Sequence, residues 1–183
     1  AKEKKKQPSK KPTALSAAQP QPKGKENLPL AELKLVEGDE KGNDIRSLKA
    51  ELMVSRAEEQ AVKQAQMLLK KHTGTPMEPD LHFRLAELYM RRAKTDRFFE
   101  VHRESDTIVK LAPKAVTSAS SRKTITQAAE TYGLIQKKFP QFPQMDLVIY
   151  NHAFARQSLN QEKEAEQLYL TLVAKYPNSM LVP

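Results

Sequence analysis

The sequence predicts an all-α fold, a solenoid of antiparallel helix-turn-helix units, and two observations carry that prediction. Two stretches 37 residues apart end in the same ladder: Ala128, Tyr132, Ile135, Phe139, Pro140 and Ala165, Tyr169, Leu172, Tyr176, Pro177. Spacings of four and three place each ladder on one helix face, and the closing proline gives each helix a hard stop. Stopped amphipathic helices recurring at this period stack side by side, and such arrays bind other molecules far more often than they catalyse.

The elements follow in chain order. Residues 1–27 are rich in Lys, Pro, Gln and Ala; they lack the apolar surface needed to offset chain entropy and are expected to be disordered. Leu28 to Val36 is a short apolar island before the polar stretch Glu37–Asn43, which holds Gly38 and Gly42. It is either a strand-like arm or turn lying on a helical core, or a linear docking motif. The chain therefore divides into a flexible arm, 1–43, and a helical domain, 44–183. Further repeats are expected beyond residue 183, because the Pro-Asn-Ser turn at 177–179 is where another helix begins. Position 1 is Ala, as in a processed product or a fragment.

From Asp44 to His72 no Pro or Gly interrupts, and Asn43 or Asp44 can cap the start. Ala50, Val54, Ala57, Ala61, Ala65 and Leu68 form a stripe at helical spacing, small enough for a neighbouring helix to approach closely. Thr73-Gly74-Thr75-Pro76 ends this helix and Glu78-Pro79-Asp80 opens the next. Leu81, Leu85, Leu88 and Tyr89 share a face. Beyond the polar patch Lys94–Arg97 the pattern resumes with Phe98, Val101, Ser105 and Ile108. Either two helices meet near Thr95 or, the reading favoured because no Gly or Pro interrupts, one long helix runs to about Lys110. A Ser-rich connection follows from Leu111 to Ser121. Helices are then expected over 121–139, 145–158 and 162–176, the last two joined near Asn160. Gly133 sits inside the first of these at a cost of about 1 kcal/mol relative to Ala.

Composition removes several functions. There are no cysteines, so disulfides, iron–sulfur clusters and thiolate zinc sites are out within these residues. No run of 18 apolar residues occurs, which excludes a transmembrane helix. Of the net charge of +9, residues 1–25 supply +7, from eight lysines against Glu3 alone. The basicity belongs to the arm and not to the helical part. The arm reads as a disordered solubilising segment, a contact for an anionic surface, or a contact for an acidic partner.

No catalytic, metal or cofactor-binding residues emerge. His72, His82, His102 and His152 never pair at helical metal spacing, and the five glycines form neither a P-loop nor a GxGxxG. No GxSxG elbow occurs. Glu58-Glu59 and Glu162/Glu164/Glu166 read as solvated helix faces. His152 reads as a polar packing residue. Arg84, Arg91, Arg92, Lys94, Arg97 and Arg103 form a basic cluster, but Glu87, Asp96, Glu100 and Glu104 interleave and cancel much of its field, so nucleic acid is an unfavoured partner.

Residues 146–179 resemble a tetratricopeptide repeat. Tyr150, Asn151 and Ala153 match its first helix, Asn160-Gln161 its turn, and Ala165, Tyr169 and Pro177 its second helix. His152 stands where Leu is usual and Arg156 where an aromatic is. Leu85, Ala86 and Tyr89 match the core of another first helix, and the 128–140 ladder matches a second helix with its closing Pro. The ending Lys175 to Ser179 is similar to repeat ends in bacterial cell-envelope members of the family.

The resemblance implies a non-catalytic protein–protein interaction scaffold, periplasmic or envelope-associated, with the cytoplasm as the alternative. Its concave groove would take a peptide or helix from another protein along Phe83, Glu87, Met90, Arg91, Tyr150, Phe154 and Gln157. The competing reading is a structural segment of a longer array whose groove is filled by neighbouring repeats or by residues 28–36.

Overall fold

The computed structural model describes residues 40–103 and 119–182, together with Lys110. The expectations for residues 1–39 and for the Ser-rich connection lie outside these residues. Among the described residues there are five helices and no strand: α1 (Glu40–Lys71), α2 (Glu78–Val101), α3 (Ser120–Lys138), α4 (Met145–Ser158) and α5 (Glu162–Lys175).

Each helix packs chiefly on its neighbour in the chain, α1 on α2, α2 on α3, α3 on α4 and α4 on α5. The cross-links fix α2 and α3 as antiparallel. Near the start of α2, Glu78 takes an ion pair from Lys138 at the end of α3. At the other end of the same seam, the Thr124 hydroxyl donates to Asp96 at 2.7 Å. Glu100 there accepts from the Ser121 backbone N–H and hydroxyl at 2.8 and 2.6 Å. This is the helix-turn-helix array that the ladders predict.

Both ladders turn inward. Ala128, Tyr132 and Ile135 are almost completely enclosed, and Ala165 and Leu172 occupy the equivalent places in α5. Phe83 packs between Tyr132 and Phe142, with ring centroids 6.1 and 5.9 Å away. Val148 and Ile149 complete that core from α4. Helices α3 and α5 each stop two residues before their proline, as a ring lacking an N–H and clashing with the preceding turn demands. The α1–α2 turn is closed by Gly74 at φ +78°, whose N–H donates to Glu78 at 2.6 Å. Between α4 and α5, Asn160 takes the left-handed conformation at φ 60° that Asn tolerates better than most residues.

Four expectations are corrected. Helix α1 begins at Glu40, four residues before the expected start, and α2 runs through Thr95 unbroken but ends at Val101 instead of near Lys110. The packed face of α1 is Leu48, Leu52, Glu58, Val62 and Ala65; of the expected stripe only Ala65 is buried. Burying leucine and valine removes more apolar area from water than burying alanine, so the larger side chains decide which way the helix turns. Glu58 is therefore not on a solvated face: it is buried, and one carboxylate oxygen has no hydrogen-bond partner. Burial pushes its carboxyl above the usual range, against the Thr95 hydroxyl and the Arg91 charge that pull it down.

Candidate functional site

The residues of the expected groove divide between core and surface. Phe83 is 4% exposed and belongs to the aromatic centre of the core, so it is withdrawn from any surface a ligand could reach. An aromatic ring held by two others buries more area there than a groove position would offer. Glu87 is half-buried and accepts from the exposed Arg84 guanidinium at 3.2 Å. Met90 packs against the small cluster Ala129, Ala155 and Leu159, where an unbranched thioether fills the gap between α3 and α4. Arg91 is exposed.

On α4 the spacing of four and three brings Tyr150, Phe154 and Gln157 to one face. Phe154 is 45% exposed. Tyr150 stands edge-on to Tyr169 of α5, 5.9 Å between centroids, and the Tyr169 hydroxyl donates to Gln157 at 3.2 Å. The α4 residues thus form one continuous surface with α5. Sequence reasoning missed the α5 half of it: Glu162, Ala165, Glu166, Tyr169, Leu170 and Val173, which line an open furrow beside Gln157. The signal was present as Glu162, Glu166, Leu170 and Val173, a second stripe at helical spacing that runs beside the ladder residues Ala165 and Tyr169.

Elsewhere a depression of about 570 Å³ between α3 and α4 is bordered by Lys137, Lys138 and Arg156. Two of these cations are engaged, Lys138 with Glu78 and Arg156 with Glu164 at 3.0 Å. Arg156 also donates to Gln161 at 3.1 Å. The α2 basic cluster is similarly broken up, with Arg84 on Glu87 and Arg92 4.0 Å from Asp96. Among the described residues no group of three or more His, Asp or Glu side chains converges on a metal position.

Beneath Arg156 lies His152, 7% exposed. Arg156 Nε donates to His152 Nε2 at 3.1 Å, and the Gln136 amide lies 3.0 Å from Nδ1. A guanidinium can only donate, so Nε2 holds a lone pair and Nδ1 carries the ring proton. The Gln136 atom at 3.0 Å is its amide nitrogen, so a bond from Nδ1 requires the amide turned to bring its oxygen there. Burial first, then the Arg156 charge, lower the ring's pKa to about 4. The ring fits because the facing α3 residue is Gly133: a Cβ there would sit 3.3 Å from His152 Cε1. Sequence placed this histidine as a packing residue, and the structure agrees.

Residues 147–179 match the family model of the tetratricopeptide repeat. No curated protein and no solved structure matches the chain. The repeat is the α4–α5 hairpin, with its small residues Ala153 and Ala165 buried where the two helices meet. Its departures from the usual pattern, His152 and Arg156, are hydrogen-bonded to each other. They form one substitution unit spanning two positions. Repeats of this family mediate protein–protein interaction, and no helix among the described residues is long and apolar enough to cross a membrane.

Proposed function

We propose that this chain is a non-catalytic scaffold that binds another protein along the exposed sides of its first helices. An extended or helical peptide lies across Glu87, Met90 and Arg91 of α2 and Tyr150, Phe154 and Gln157 of α4. The observation that carries this reading is Phe154, an aromatic nearly half exposed on a helix of a tetratricopeptide repeat, bordered by Tyr150 and Gln157. Aromatic side chains of this kind supply contact area at low entropic cost, and Gln157 and Arg91 supply orientation. The cell-envelope location is proposed on the likeness of Lys175-Tyr176-Pro177-Asn178-Ser179 to repeat ends of envelope proteins.

The test compares partners captured from the native cell by wild-type protein and by the Tyr150→Ala/Phe154→Ala variant, with thermal stability measured alongside. Loss of a partner at unchanged Tm supports the surface. An unchanged partner set with an equally stable variant refutes it, and fractionation of the same cells decides the compartment.

A further inference from the structure

We propose that this chain associates with a second copy of itself head to tail, the outward face of α5 in one copy seating on the outward face of α1 in the next. Both faces are apolar, and each lies on a helix whose opposite side is already packed. On α5, Leu170 is 62% and Val173 48% exposed, and with Tyr169 they line a furrow of about 370 Å³. On α1, Met53 is 64%, Val54 44% and Leu68 45% exposed, and Ala50 and Ala57 complete the stripe. Apolar surface gathered in this way marks an interaction site, unlike single exposed leucines.

Three properties make a second copy the fitting occupant. First, the faces are complementary in size: α5 offers Tyr, Leu and Val, whereas α1 offers alanines that admit a close helix. Second, they are complementary in charge. The charged side chains lining the α5 furrow are Glu162 and Glu166, while Arg46 and Lys71, four before Ala50 and three after Leu68, stand exposed at the two ends of the α1 stripe. Third, they match in length. The α5 stripe from Glu162 to Val173 rises about 17 Å and the α1 stripe from Ala50 to Leu68 about 27 Å, so the first fits within the second. Among the described residues α1 and α5 are the outer two helices and each packs chiefly on one neighbour, so using one face leaves the other free. Such a heterologous contact propagates into short chains or closes into a ring.

Sedimentation of the whole 183-residue chain over about a hundredfold range of concentration tests this, since association follows mass action. The expected result is a weight-average mass that climbs past the monomer. Val54→Glu and Leu170→Glu replace exposed residues, so each variant keeps its helix content and Tm, and each alone sediments as a monomer. Mixed in equal amounts they form a one-to-one dimer and nothing larger, because one intact α1 face meets one intact α5 face. A wild-type monomer throughout the range overturns the proposal. So does self-association that persists in either variant, which is the signature of a like-with-like contact, or a mixture that stays monomeric.

Discussion

Replacing His152 by leucine, the residue usual at that place in the repeat, is expected to flatten the acid side of the stability profile. The buried ring titrates at about 4 against an ordinary 6.5, because burial and the Arg156 charge disfavour the cation. Above pH 6.5 the ring is neutral both folded and unfolded, and its titration contributes nothing. As pH falls below 6.5 the unfolded chain takes up a proton that the folded chain refuses, so stability drains away until the folded ring protonates near 4. The interval is worth about 3 kcal/mol at about 1.4 kcal/mol per pH unit, and about 2.5 kcal/mol of it is lost by pH 4.5. For a chain of this size that is about 8 °C in Tm. His152→Leu also leaves Gln136 and Arg156 without their partner, which lowers Tm at every pH. The diagnostic is therefore the pH dependence of the difference between the two proteins. Calorimetry at pH 7 and pH 4.5 measures it: the Tm gap shifts by about 8 °C in favour of the leucine variant on acidification. Parallel Tm curves over that range refute the assignment of a buried neutral imidazole donated to by Arg156.

Gly133→Ala gains about 1 kcal/mol of helix propensity but sets a Cβ against the pinned His152 ring, so it lowers Tm in the wild type and raises it in a His152→Ala background; a thermal double-mutant cycle checks the reversal. Glu58→Gln removes a buried carboxylate oxygen that lacks a partner and is expected to raise stability by about 1 kcal/mol at pH 7, measured by urea titration. That gain shrinks as pH falls through the raised carboxyl pKa towards the ordinary 4.5, since the wild-type group then protonates in the folded chain first. Glu78→Gln is expected to lower Tm at neutral pH. Its carboxyl is held below the usual range by Lys138, then by the Gly74 N–H, so the stability it contributes is present above pH 4.5 and lost below it, where the variant and wild type converge in calorimetry. Phe83→Ala costs about 3–5 kcal/mol in denaturant unfolding, placing this residue in the core instead of a binding surface.

What could be read in the sequence was whatever a single helix declares about itself. The ladders at 128–140 and 165–177 specify an inward face, a length and a stop. Their helices duly end at Lys138 and Lys175, within a residue of expectation. What could not be read depends on which of two candidate faces wins. Helix α1 has apolar residues on both sides, and counting positions favours the alanine stripe, whereas area favours Leu48, Leu52 and Val62. Glu58 went astray with that choice, because a carboxylate in helical sequence looks solvated until the helix is turned. The candidate surface was legible on α4 for the same reason the ladders were. Phe83 was misplaced because an aromatic near a repeat's first helix suits a groove or a core equally well. Only its contacts with Tyr132 and Phe142 distinguish the two. The α5 furrow escaped because one helix carried two stripes, and the ladder claimed attention first.

Packing in which each helix leans mainly on its chain neighbours also governs how this protein comes apart. Among the described residues, contacts between helices that are not chain neighbours are few, so little ties α1 to α5 in a single melting step. Free energies of opening then grade along the chain, lowest where a helix has one neighbour and highest at α3, clasped at both ends of its seam with α2. Native-state amide exchange would trace that gradient helix by helix, fraying inward from either side. A protein built so can lose an outer helix and remain folded at its middle.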